Sequence, residues 1–205
     1  MIAALCGFVL RIFGWSFGPP PPLEVKKLVV IAGPHTSNWD FVWMMLYVTH
    51  WGMKIRWMGK ESLFDGPMGW LLRATGGIGI DRSKAHNTVD AMAAEFGERE
   101  HLWLVVPAAG TRSKRDYWKS GFYAIAQKAG VPIAASCLDY AKKQAGFPAL
   151  IDSSADVTTV MDQVRAVYEP AGAKYPAKKS RVRLRLEDEA AAAAPAAPPS
   201  PDPGA

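Results

Sequence analysis

Apolar residues run unbroken from Leu28 through Val29, Val30 and Ile31 to Ala32, and Gly33-Pro34 ends the run. A continuous, β-branched apolar stretch of this length predicts a strand buried on both faces. The same pattern recurs at 102–106 and again at 132–138. Shorter strands are expected at 54–58 and 78–80. Between them lie helical periodicities at 39–50, 67–74 (stopped by Gly76-Gly77), 87–98 and 119–129 (ended by Gly130). In the helix at 87–98, Val89, Met92, Ala93 and Phe96 share one face. Strands alternating with helices predict one α/β domain over 28–187, with a largely parallel mixed sheet flanked by helices. Beyond Asp139 the pattern weakens. A helix is expected at 158–168, and 181–186 alternates Arg with Val and Leu, as an edge strand with one basic face would. The Ala/Pro-rich end, 188–205, offers nothing to pack and is expected to be a disordered tail.

Residues 1–17 are apolar apart from Arg11 and Ser16. A bilayer-spanning helix needs about 20 apolar residues, and a signal peptide places its positive charge first. The stretch 1–18 therefore reads as a short interfacial helix that associates with a membrane, Arg11 reaching toward headgroups. Its other reading is an amphipathic helix packed on the domain. Four prolines at 19–22 predict a stiff spacer over 19–27.

Composition narrows the class. The 205 residues suffice for one domain, and 49% apolar with 21% charged residues is globular. Eight Trp and eight Met suit either a packed core or a lipid-facing surface. A net charge of +5 favours an anionic partner: nucleic acid, lipid headgroups or a phosphorylated metabolite. No nucleic-acid-binding fold signature accompanies the charge. Cys6 and Cys137 form no disulfide framework and read as reduced thiols, which points to the cytoplasm.

Candidate chemistry sits where strands hand over to helices, the edge at which parallel sheets place ligands. In His35-Thr36-Ser37-Asn38-Trp39-Asp40, Ser37 or Asn38 can cap the helix and Asp40 falls in its first turn. Five helical residues turn through about 140° of net separation, so a His35–Asp40 contact requires His35 in the turn, folded over the helix start. Asp40 would then fix one imidazole nitrogen and leave the other as a general base. No nucleophile-elbow pattern is present, so the nucleophile would be a substrate hydroxyl. Spacing alone fits helix capping equally well. A second cluster, 76–83, combines glycines with Arg82, a fork suited to phosphate. A third, 107–115, sets Gly110, Thr111 and Ser113 beside Arg112, Lys114 and Arg115. Each alone could be a solvated basic loop. Two of them after strands, on the edge that carries His35, point to an anion site.

Taken together these blocks resemble the glycerolipid acyltransferase family, which includes the lysophosphatidate acyltransferases. That family carries a His-x4-Asp block, an Arg block after a Gly-rich strand, a Pro-Glu-Gly-Thr-Arg-Ser block and a Val-Pro-Ile block. Their counterparts occur in order as 35–40, 76–83, 110–113 and Val131-Pro132-Ile133. The resemblance implies acyl transfer from acyl-CoA or acyl carrier protein to a lysophospholipid hydroxyl, with no covalent acyl-enzyme, no metal and no cofactor. His35 and Asp40 would be catalytic. Arg82, Gly110, Thr111, Arg112 and, more weakly, Lys60 would hold the acceptor phosphate, and Pro132 would shape the acyl pocket. Membrane lipids are the implied partners, with no nucleic acid, and the location is the cytoplasmic face of a membrane, peripheral or monotopic. One departure stands out: the family's Glu is Ala109 here, preceded by Ala108 where Pro is usual. It leaves the acceptor open, with Asp116 as a possible substitute, and makes a non-catalytic or weakly active lipid-binding relative the alternative.

Overall fold

The computed structural model describes residues 1–81 and 85–193, the side chains of 85–87 excepted. Arg82 and the tail beyond residue 193 lie outside the described residues. Helix α1 (Ile2–Ile12) leads into a two-residue strand β1 (Ser16–Phe17), followed by β2 (Lys27–Gly33), α2 (Trp39–His50) and β3 (Ile55–Lys60). Next come α3 (Gly69–Ala74), β4 (Gly77–Ile80), α4 (Ala85–Glu98), β5 (Leu102–Val106) and α5 (Gly121–Ala129). The chain continues through β6 (Ile133–Asp139), β7 (Gln144–Ile151), α6 (Val157–Tyr168) and α7 (Arg185–Ala193).

Among the described residues seven strands form one sheet, in the order β1-β7-β6-β2-β5-β3-β4. Strands β2 to β6 are mutually parallel, β7 runs antiparallel to β6, and β1 runs parallel to β7. The sheet is therefore mixed but mainly parallel, as the run of buried strands predicts. All five residues of β5 are buried, because helices cover both of its faces. On one face Val29, Ile31, Leu104 and Ile133 pack with Phe122, Met161 and Val164 from α5 and α6. On the other, Val30, Val105 and Trp57 meet Val48, Phe41 and Met44 of α2. A third cluster joins Leu10 of α1 to Trp15, Trp43 and Tyr47, so α1 lies outside α2.

The structure departs from the expected pattern in three places. Strand β7 falls where the sequence offers only Gly146 and Pro148 in a weakly patterned run. It is held by the hairpin after β6 and tolerates Pro148 because two-residue β1 reaches no further than Ala145. The run 181–186 is not an edge strand. Val182 and Leu184 are buried in the helical layer, and Arg181 and Arg183 exchange backbone bonds with Arg115 and Trp118 rather than with the sheet. Residues 185–193 form α7, so the first part of the stretch expected as tail is helical. Its start is fixed by Glu187, whose carboxylate accepts from the Leu184 amide at 2.7 Å and from Arg165 at 2.6 Å. The proline segment runs beside β7, where Phe147 N donates to Pro19 O at 2.8 Å.

Candidate active site

His35 sits in the turn between β2 and α2, at the carboxyl edge of the parallel strands. Its Nδ1 lies 3.2 Å from Asp40 Oδ2. The same oxygen accepts from the Thr36 amide at 2.9 Å and the Ser37 amide at 3.0 Å, which folds the turn back over the helix start. Ser37 Oγ accepts from the Trp39 amide at 3.2 Å, whereas the Asn38 side chain makes no capping bond at this terminus. Asp40 is 4% exposed. Burial pushes its carboxyl upward, yet hydrogen bonds from His35, Tyr140 and the Ser37 amide outweigh this and hold it below the ordinary aspartate value. Thr36 Oγ1 accepts from the Tyr175 amide at 3.3 Å, so the segment after α6 covers the turn.

Tyr140 completes the cluster, donating from its phenol to Asp40 Oδ1 at 2.7 Å. It follows β6 directly and lies a hundred residues from Asp40, a separation no local motif could expose. Tyr168, fully buried, donates to the carbonyls of Ile31 and Ser136 at 3.0 and 2.8 Å and braces β2 against β6 behind the turn. Gly33 makes room for it, since a Cβ there would lie 2.9 Å from the Tyr168 ring.

From His35 a cavity of about 290 Å³ extends between α2 and the sheet. Its walls are apolar: Val30, Ala32 and Val105 from the strands, Phe41, Met44 and Val48 from the helix, then Trp51, Met53 and Phe147 at the far end of α2. Eleven helical residues separate Asp40 from Trp51, about 16 Å of helix axis. Lys60, at the end of β3, and Gly110, Thr111 and Arg112, after β5, line the same cavity as His35. Gly110 closes a turn by donating to Pro107 O at 2.8 Å, with φ at 66°, the left-handed region that glycine enters without strain. The fold thus gathers His35, Asp40, Lys60, Gly110, Thr111 and Arg112 from three strand ends.

Three expected positions stand elsewhere. Pro132 is at the opposite end of β6 from Cys137 and Leu138, its carbonyl accepting from Val29 N; it is not among the cavity-lining residues. Asp116 is exposed and does not line the cavity. Ala109, 9% exposed, packs in the core cluster that holds Trp118 and Phe122.

The structure thus sets a His–Asp pair at a strand end of an α/β domain, beside basic residues and above an apolar cavity. The acyltransferase family model matches residues 20–138, more than half of the chain. The protein therefore belongs to the acyltransferase family and is an acyltransferase. Its fold is similar to the crystal structure of the 1-acyl-sn-glycerophosphate (LPA) acyltransferase PlsC from Thermotoga maritima. The TM-score is 0.52 at 16% identity, over 82% of this chain and 77% of that one. No curated protein matches the chain.

Proposed function

We propose that this acyltransferase moves a fatty acyl group from acyl-CoA or acyl carrier protein to the free hydroxyl of a lysophosphatidate-like lysophospholipid. The observation that carries the reading is His35 Nδ1 held 3.2 Å from Asp40 at the head of an apolar cavity that Lys60 and Arg112 also line. Asp40 fixes the tautomer, and Nε2 of His35 takes the proton of the acceptor hydroxyl. The oxygen attacks the thioester carbonyl carbon, the tetrahedral intermediate expels the thiolate, and the imidazolium returns the proton to sulfur. Lys60 and Arg112, with the Gly110-Thr111 backbone, hold the acceptor's phosphate, and Arg82 is proposed to join them. The acyl chain lies along α2 between Met44, Val48 and the sheet, in place of a pocket shaped by Pro132.

The substrate is a membrane lipid, and α1 supplies a docking face. Ile2, Leu5, Phe8 and Ile12 project outward from it, exposed by more than half, while Gly7 and Leu10 face the protein. Phe13 and Trp39 extend that apolar surface across Trp43, whose ring touches both. Among the described residues no helix is long and apolar enough to cross a membrane. Peripheral or monotopic binding at the cytoplasmic face is the location proposed, and two unpaired thiols, Cys6 and Cys137, suit that compartment.

The test is thiol release from acyl-CoA with lysophosphatidate in vesicles, the lipid product read by mass spectrometry. Wild type is expected to turn over and His35→Ala to lose about 10²–10⁴-fold, the usual worth of a positioned base. Equal rates in the two proteins refute the catalytic role. Vesicle binding without turnover in wild type would instead favour the lipid-binding alternative that Ala109 raises. A panel of other lysolipids then identifies the headgroup.

A further inference from the structure

Both oxygens of Asp40 are engaged, and by different parts of the chain. Oδ2 serves the local turn, meeting His35 and the amides of Thr36 and Ser37. Oδ1 accepts from the Tyr140 phenol at 2.7 Å. A buried carboxylate with one oxygen unbonded is costly, and its charge would concentrate on the side facing the imidazole. Tyr140 is itself fixed from behind: its ring packs edge-on against buried Trp15 at 5.1 Å, and Trp15 in turn contacts Trp43 and Tyr47 of α2. The phenol cannot swing away without breaking that packing. Burial and the neighbouring Asp40 carboxylate both push its ionisation well above the ordinary tyrosine value, so it remains a donor across the working pH range.

From this geometry we infer that Tyr140 is a positioning residue for the proton transfer, acting on His35 through Asp40, and that it sets the basicity of the imidazole. By donating to Oδ1 it draws negative charge away from the oxygen that faces His35. It also fixes the carboxylate plane, so that Oδ2 stays aimed at Nδ1. The inference rests on His35 serving as the base. Other charged or titratable groups face this cluster from every side. Lys174 Nζ lies 5.0 Å from the Trp39 ring and 6.0 Å from the Tyr140 ring, and Tyr175 stands beside them. Across the cavity are Lys60 and Arg112, with Cys137 and Tyr47 also in its lining. Tyr140→Phe keeps all of these side chains and removes the donor to Asp40 Oδ1.

The experiment is the pH dependence of kcat and kcat/KM for Tyr140→Phe, which keeps the ring against Trp15 and deletes the donor. With less charge drawn off Asp40, the imidazolium is better stabilised, and the acid limb of kcat/KM moves to higher pH. At neutral pH kcat falls on the order of tenfold, the scale of a hydrogen bond to a charged group, while both KM values stay within about twofold. Tyr140→3-fluorotyrosine, a stronger donor of nearly equal shape, moves the same limb to lower pH. A Tyr140→Phe enzyme whose kcat and acid limb coincide with wild type would overturn the inference. So would a loss of kcat with an unmoved limb in both variants, since that marks a purely structural role. His35→Ala measured alongside separates the two levels. If wild type turns over and His35→Ala does not, the function stands whatever Tyr140 does.

Discussion

Asp40 concentrates the site's electrostatics in one side chain. Four hydrogen-bond donors and the start of α2 surround it, and the hydrogen bonds outweigh the upward push of burial. A carboxyl held below its unfolded value near 3.8 contributes stability that is complete above that value. The contribution is lost as pH falls through the lower, folded value. Asp40→Asn removes the titrating group, so the Tm of this variant should depend less on pH than that of wild type below about pH 4. Its activity should drop about 10²–10⁴-fold with the fold retained, because an amide can no longer balance the imidazolium. Parallel Tm–pH curves for the two proteins would show that these bonds add nothing to stability. His35 and Asp40 were legible in the sequence because one turn brings them together. Tyr140 was not, because its contact with Asp40 exists only once β6 lies beside β2.

Among the elements, α1 is the one with two unlike faces. Inward, Gly7 lets it approach α2 so closely that a Cβ would lie 2.6 Å from His50 Nδ1, and Leu10 is fully buried. Outward, Leu5 and Phe8 are 59% and 60% exposed. The pair Leu5→Asp and Phe8→Asp should leave stability within about 0.5 kcal/mol, as surface changes do. Cosedimentation with anionic vesicles should fall by roughly tenfold or more, since apolar insertion drives interfacial binding. Unchanged sedimentation would assign that face another role. Of the two readings of this helix in the sequence, packing on the domain describes its inner face, and the interfacial one is the role proposed for its exposed face. Other elements were less readable. The Arg-Val-Arg-Leu alternation at 181–186 was correct about which side chains go inward, but alternation does not say what they meet. Val182 and Leu184 meet the helical layer under α6, and Glu187 turns the chain into α7.

At the scale of the molecule, the cavity between α2 and the sheet connects the site to the core. Met44 lines it between Asp40 and Trp51. Met44→Trp should shorten the acyl chains accepted: kcat/KM for long-chain thioesters falls by about tenfold or more, and short-chain thioesters stay within about twofold, because pocket volume discriminates through packing. A uniform loss for all chain lengths would place the acyl chain elsewhere.

By itself, the sequence determined the strand–helix alternation, the parallel centre of the sheet, and the placing of His35, Lys60 and the Gly110-Thr111-Arg112 loop at strand ends. These follow from local periodicity and from turn residues, which act over a few positions. Tertiary structure alone decided what depends on distant segments meeting. It added β7 by a hairpin, brought Tyr140 to the second oxygen of Asp40, opened the cavity along α2, and set Pro132 at the strand end away from it. Packing and hydrogen-bond satisfaction between segments far apart in the chain carry no local signature, and that is why the site's head was readable and its supports were not.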